Sequence, residues 1–236
     1  MEFFFPFIAA LLPAAVLLWI IYRKDPVKEP VWQLLKGFGY GLVAAGIAIE
    51  LESLVFGVGL VDDEPTGVLS AVNMAFVGAA IPEEIAKLLM VWLLLRRNRY
   101  FDEYFDGVVY AASVGLGFAA LENVAYLFGQ LNDWQGVAVM RGLFSVPGHF
   151  AFAVLMGYFY SLVHLGGRHS WLNRVMVLAA PVLAHGTYDA LLFVGSLSEA
   201  ASGVLSIAFL LLCWQLVKLC KRHIAHLRIF DQMPKE

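Results

Sequence analysis

Charge is scarce in this chain. Only 15% of its 236 residues are Asp, Glu, Lys or Arg, while 61% are hydrophobic, and mean hydropathy is +0.75. An ordinary soluble domain carries about a quarter charged residues, so a water-soluble globule and a disordered chain are both excluded. Two cysteines are too few for a disulfide scaffold, and no G-X-Y period suggests collagen. Basic excess is also lacking: 16 Lys and Arg stand against 19 Asp and Glu, net −3, which gives no field for a polyanion and excludes nucleic acid as a partner. The chain shows neither an internal repeat nor a low-complexity tract. No basic segment precedes the first apolar run, where Glu2 is the only early charge, so that run reads as a retained anchor rather than a cleaved signal.

What remains is a membrane protein. A helix needs roughly 20 apolar residues to cross about 30 Å of hydrocarbon. Seven stretches meet that length, at 3–22, 37–57, 68–95, 107–128, 137–163, 172–194 and 200–220. The expected fold is an all-α polytopic bundle of about seven transmembrane helices. The aromatic residues (14%) and 21 glycines suit interfaces and close helix approach. Cys213 and Cys220 stand seven residues apart on the last span, roughly 10 Å along a helix and too far to pair. They read as apolar fillers, with lipidation of Cys220 the lesser alternative.

Loop charges alternate. Arg23, Lys24, Lys28 and Lys36 follow the first span, and Arg96, Arg97 and Arg99 follow the third. Arg168 and Arg174 separate the fifth from the sixth, and Lys218, Lys221, Arg222, Arg228 and Lys235 close the chain. The intervening loops hold Asp62, Asp63, Glu64, Asn132, Asp133 and Glu199 without Lys or Arg. The positive-inside rule then predicts the N-terminus outside and the C-terminus inside a multi-pass cell-membrane protein. The segment from Lys221 to Phe230 reads as a basic interfacial helix or a frayed tail.

Ionisable residues interrupt the apolar spans: Glu50 and Glu52, then Glu83, Glu84 and Lys87, then Glu122, His149, His185 and Asp189. Each charge costs roughly 2.5–3.5 kcal/mol at mid-membrane on insertion scales, so hydrophobic collapse does not account for them. By a rise of about 1.5 Å per residue, Glu83, Glu122, His149 and His185 fall at similar heights near the middle of the bilayer. One polar chamber would produce that coincidence; a structural ion-pair network is the blander alternative. Lys87 is four residues after Glu83 and three after Glu84, placed to neutralise one carboxylate and leave the other to titrate. Glu122 with Tyr126, and His185 with Asp189, share the same i,i+4 spacing. Pro82, Pro147 and Pro181 precede three of these groups and predict kinks. Arg141 reads as snorkelling outward, Asp106 as a helix N-cap, and His164, His169, His223 and His226 as solvated. Gly37, Gly39, Gly41, Gly115 and Gly117 read as packing surfaces.

Two glutamates, two histidines and an aspartate can hydrolyse a peptide bond: a carboxylate activates water, and a histidine polarises the carbonyl and returns a proton to the amine. His149, His185 and Glu122 could instead hold zinc with a water, although HExxH is absent. Ser145 is a lesser nucleophile candidate. Carboxylate–histidine chains also relay protons, so a proton- or cation-coupled transporter is the rival reading. Transporters commonly show interrupted helices in two related halves, and no such symmetry is visible here. A retinal protein would need a mid-span lysine, where the last span offers only Lys218 near its end.

The motifs and their order resemble the PrsW family of intramembrane proteases, within the wider superfamily of CAAX-prenyl and bacteriocin-processing proteases. The resemblance is carried by Tyr22, Asp25, Glu29 and Pro30, by the PEExxK run from Pro82 to Lys87, and by Asp106, Gly107 and Tyr110. It continues through Gly117 to Tyr126, Gly148 to Gly157, and the HGxYD run from His185 to Asp189. It implies catalytic roles for Glu83, Glu84, Glu122, His149, His185 and Asp189, with Lys87, Asn123 and Tyr126 supporting. It also implies a membrane-anchored protein substrate, such as an anti-sigma factor, and either glutamate or metal chemistry with one zinc ion. Residues 1–220 would form a single transmembrane protease domain and 221–236 a short basic cytosolic tail. Two departures stand out against the CAAX-processing relatives: Lys87 replaces an arginine that they carry one position later, and Asp189 stands where some have asparagine. An ionised aspartate cannot donate to an oxyanion, which moves its role towards orienting His185 or binding metal.

Overall fold

A computed structural model describes residues 3–166 and 170–233; Glu2, Arg168, His169 and Lys235 lie outside the described residues. Among those described there are nine α-helices and no strand: α1 (Phe4–Lys24), α2 (Val31–Gly57), α3 (Val68–Asn73), α4 (Ile81–Leu95), α5 (Tyr104–Gly129), α6 (Trp134–Met140), α7 (Val146–His164), α8 (Trp171–Ser196) and α9 (Glu199–Asp231). A π-helical stretch, Met74–Ala80, joins α3 to α4, and another, Arg141–Ser145, joins α6 to α7. Seven rods result. Six helices are long and apolar enough to cross a membrane: α1, α2, α5, α8, α9 and the composite Leu131–His164. The expected third span, 68–95, is helical throughout but is not one of these six. It is the rod that carries Glu83, Glu84 and Lys87.

The kinks expected from proline take a specific form. Pro82 and Pro147 follow directly on the two π stretches. A proline offers no N–H, so a carbonyl in the turn before it loses its partner. The N–H just ahead of each proline reaches back five residues instead of four, Ile81 to Phe76 and Val146 to Arg141. The widened turn that results rotates the following residues about the rod axis. Pro181, in contrast, sits inside α8 with no change of helix type.

Helix α5 is the centre of the bundle, buried from Phe105 through Ala120 and packed by α1, α2 and α7. Small residues make that possible. A Cβ added at Gly41 would strike the α5 backbone at Val114 and Gly117, and one at Gly117 would strike the carbonyl of Phe38. Gly37 and Gly115 likewise face Ser113 and Ala153, so four of the five expected packing glycines do pack; Gly39 meets nothing within 4 Å.

Helix α9 does not stop at 220. It continues to Asp231, whose carboxylate accepts the N–H groups of Tyr104 (2.6 Å) and Phe105 (3.0 Å) at the start of α5. Leu227 is fully buried. His223 stacks on Tyr158 at 3.8 Å and His226 shares a 2.8 Å hydrogen bond with the same tyrosine, so neither is simply solvated. His164 stacks on Tyr160 at 4.0 Å. The tyrosines give these half-apolar rings a better surface than water does. Cys213 and Cys220 are both free, and Cys220 is buried.

The α2–α5 contact yields a contrast. Gly117→Val forces two backbones apart and is expected to cost about 1–3 kcal/mol. Gly39→Ala, in open space, should be neutral or stabilise by up to about 1 kcal/mol. Thermal unfolding in detergent measures both, and equal losses would show that backbone approach is not what Gly117 serves.

Candidate active site

Four rods meet at the π turns. α4 brings Glu83, Glu84 and Lys87 just past Pro82, α5 brings Glu122, α7 brings His149 just past Pro147, and α8 brings His185 and Asp189 one turn past Pro181. Gly186 lets α8 lie against the ring of Phe76 in the first π stretch. Glu84 is 0% exposed and Lys87 2%, and His149 and His185 are buried as well.

Lys87 sits at the junction. Its ammonium donates to Glu84 Oε1 at 2.8 Å, to Glu83 Oε2 at 3.0 Å and to His149 Nδ1 at 3.1 Å, which spends all three of its N–H groups. The sequence spacing suggested that it would neutralise one glutamate; it holds both. Because lysine cannot accept, His149 must carry its proton on Nε2, which donates to Glu122 Oε2 at 2.7 Å. On the other side His185 Nδ1 meets Glu84 Oε1 at 2.9 Å, and Nε2 lies 3.1 Å from Asp189 Oδ2 and 3.9 Å from Glu83 Oε2. Phe118 lies under the ammonium at 3.9 Å, and Phe152 stacks on His185 at 4.7 Å. All six expected catalytic residues therefore share one connected network. Two cavities of about 340 and 350 Å³ adjoin it, both lined by Glu83, Glu122 and Tyr126.

The profile of PrsW family intramembrane metalloproteases matches residues 29–216. The chain belongs to the PrsW family. Protease PrsW of Clostridioides difficile (strain 630) is 28% identical over 214 residues, covering 89% of this chain and 87% of its own. Protease PrsW of Bacillus subtilis (strain 168) is 33% identical over 190 residues, covering 78% and 81%. No solved structure matches. This PrsW-family protein is accordingly an intramembrane protease, a peptide hydrolase.

In it a buried His/Glu group could hold a metal ion. Glu83, Glu84, His149 and His185 each offer one donor atom, and these atoms lie within 4.8 Å of one another. Glu84 Oε2 is buried and accepts no hydrogen bond, an orphaned carboxylate oxygen on one of the four donor residues. Mixed imidazole and carboxylate donors suit a transition metal. Lys87 lies among the same donors. Glu122, expected as the third ligand beside the histidines, is not in this group; His149 and Arg141 take its oxygen.

Arg141 is the residue that sequence reasoning misplaced. Instead of pointing outward, its guanidinium makes an ion pair with Glu122 at 2.8 Å, donates to Asn123 Oδ1 at 2.7 Å and covers the Tyr126 ring at 3.9 Å. Asn123 in turn donates to the Ala10 carbonyl at 3.2 Å, fastening the network to α1. A signal was available: Arg141 and His149 are eight apart on one rod, close to the same face. Glu50 is exposed on α2, whereas Glu52 lines the smaller cavity. Ser145 borders the larger one, without a hydrogen bond to any histidine.

Arg141→Ala leaves the half-buried Glu122 carboxylate with His149 alone and is expected to destabilise by about 2 kcal/mol. Adding Glu122→Gln should recover at least about 1 kcal/mol. A double-mutant cycle on thermal unfolding tests this, and strictly additive losses would mean that the pair is not coupled.

Proposed function

We propose that this protein cleaves a peptide bond of a membrane-anchored protein, in or beside the bilayer, using water activated by Glu83. The reading rests on one observation, the convergence of Glu83, Glu84, His149 and His185 from three rods on one buried locus. Glu83 borders both cavities and Glu84 neither, so Glu83 is the carboxylate that water can reach. Glu84 is the internal anchor that fixes Lys87 and His185. The larger cavity has aromatic walls at Phe144, Phe152, Phe193 and Phe209, a surface suited to an apolar segment.

In this scheme Glu83 takes the proton of the attacking water, with Lys87 steadying its charge at 3.0 Å. His185 donates to the carbonyl oxygen and then to the leaving amine. Its Nε2 meets Asp189 beside the cavity, and when the substrate oxygen takes that bond the Glu84 contact at Nδ1 still orients the ring. His149 is held by Glu122 and, through it, by Arg141. If a zinc ion is bound, Glu83, Glu84, His149 and His185 would hold it, and it would supply a water of lowered pKa and carbonyl polarisation. The charge balance is compatible: Glu83, Glu84, Glu122 and Asp189 exceed Lys87 and Arg141 by two negative charges, which one divalent cation would offset. We further propose that the N-terminus lies outside and the C-terminus inside, from the loop charges.

In proteoliposomes with a tagged single-span substrate, Glu83→Gln and His185→Ala should each cut the cleavage rate by 10²-fold or more, the scale of general acid–base catalysis. Full activity in either correctly inserted variant would end this assignment. Elemental analysis settles the zinc part: the wild type should carry about one equivalent and Glu84→Gln/His149→Ala far less. Metal-free wild type cleaving at full rate would leave the glutamate-only scheme.

A further inference from the structure

Where α4 gives way to α5, the acidic residues serve a helix end. Glu103 takes the N-cap position expected of Asp106, whose carboxylate accepts the N–H groups of Asp102 and Glu103. The arginines of the same link line a cavity. Arg96, Arg97 and Arg99, with Asn98 among them and His164 at the end of α7, border a space of about 520 Å³. Aromatic rings hold two of the three guanidiniums: Arg96 lies 5.0 Å from the Trp92 ring, and Arg99 donates to the Tyr100 hydroxyl at 2.7 Å. A guanidinium has five N–H donors in a planar fork, and these contacts use few of them. No acidic side chain is among the described residues that border the space.

A second space, of about 470 Å³, adjoins the first, and Trp92, Tyr160 and His164 border both. Its other walls are mainly apolar, with Ile85, Leu88 and Leu89 on α4, and Arg174 of α8 adds a fourth guanidinium. The two sides of α4 are divided accordingly. Glu83, Glu84, Lys87, Val91 and Leu94 are buried, while Ile81, Ile85, Leu89 and Trp92 are between 37% and 44% exposed. The exposed four recur at three- and four-residue spacing, a single stripe of the helix, and the next position in that series is Arg96. From Ile85 to Arg96 the stripe runs roughly 16 Å along the axis, about the half-thickness of the hydrocarbon core of a bilayer.

We propose that the two spaces together bind one anionic phospholipid, its phosphodiester among Arg96, Arg97 and Arg99 and an acyl chain along Ile85, Leu89 and Trp92. Charge complementarity selects the head group. An arginine fork pairs with phosphate through two parallel hydrogen bonds, and basic pockets at the ends of membrane helices recognise such head groups. The adjoining apolar groove selects a lipid over a free anion or an acidic peptide, because a lipid fills both spaces. The position also suits this rod. The 68–95 rod is not among the six helices long and apolar enough to cross a membrane, and a lipid held at its basic end anchors it where its own composition does not. The site uses the exposed side of α4, away from Glu83 and Glu84, and does not depend on the hydrolytic reading.

The test uses the full chain, washed free of lipid in detergent and titrated in mixed micelles with dioleoylphosphatidylglycerol or dioleoylphosphatidylcholine. Phosphatidylglycerol should raise the thermal midpoint saturably, by roughly 5 °C at a hundredfold excess over half-saturation. It should half-saturate at a mole fraction about tenfold or more below that of phosphatidylcholine, within the scale of three basic residues beside an anionic head group. The triple variant Arg96→Gln/Arg97→Gln/Arg99→Gln should lose that preference. A variant with the same change in charge placed elsewhere, Lys24→Gln/Lys221→Gln/Arg228→Gln, should keep it. Equal response to the two lipids, a preference that survives in the arginine variant, or one lost equally in the control variant overturns the proposal. So does an equal rise with glycerophosphoglycerol, which carries the head group without the chains. Should the arginine variant fail to fold, phosphatidylglycerol brominated on its chains takes its place. It should quench a larger share of the tryptophan fluorescence in wild type than in Trp92→Phe, and equal quenching refutes the site.

Discussion

The Lys87 ammonium is the interaction on which the active-site arrangement depends. Four carboxylates from three rods converge in apolar surroundings, where each unneutralised charge would be strongly unfavourable. Lys87 touches two of them directly and a histidine besides. Through His149 it reaches Glu122, and through Glu84 it shares a bond with His185. Glu83, Glu84, Glu122, His149 and His185 are thus within two hydrogen bonds of one cation, and Asp189 joins one bond further on through His185. A lone glutamate at this depth would neutralise by taking up a proton and cease to be a base. A glutamate held against a fixed ammonium has its counter-charge in place at that depth, which is what permits the burial.

Position along the chain and direction around each rod come from different physics, and the two π stretches join them. A regular helix advances its side chains by about 100° per residue, which alone would not aim Glu83 and Glu84 on α4 and His149 on α7 at each other. Each prolyl residue withdraws one backbone donor, the preceding turn widens to five-residue bonds, and the residues beyond are reoriented. Irregular backbone of this kind is tolerated at membrane depth only where protein or a wet cavity covers it. Here both stretches face the cavities, Met74 and Gly78 on one, Arg141 and Ser145 on the other.

Much of this was legible from residue order. Height follows from a fixed rise per residue, so the agreement in depth of Glu83, Glu122, His149 and His185 could be computed before any packing was known. The i,i+4 partnership of His185 and Asp189 is equally local, and it is present at 3.1 Å. Direction was not legible. Glu50 and Glu52 differ by two residues and fall on opposite sides, one exposed and one on a cavity. Arg141 sits where snorkelling is the ordinary behaviour of a long cationic side chain, and Glu122, Asn123 and Tyr126 on the neighbouring α5 turn it inward. The extension of α9 past 220 has a similar cause. Its polar residues suggest an end to the span, yet Leu227 and Asp231 are held by contacts with the start of α5 that lie more than a hundred residues away in sequence.

Helix α5 links the two acidic clusters, and comparing them shows why they differ in kind. Around Glu122 each carboxylate has a cationic or imidazole partner, on its own rod or a neighbouring one, so the protein supplies its own counter-charge and the cluster can stand closed. Around Asp106 the carboxylates hold the frame instead: Asp106 accepts the N–H groups of Asp102 and Glu103, Asp25 that of Glu29, and Asp231 those of Tyr104 and Phe105, while Glu29 accepts the Tyr110 hydroxyl. One helix thus carries a self-neutralised cluster for chemistry in its interior and, at its end, the contacts that order the α1–α2 link and tie down α9.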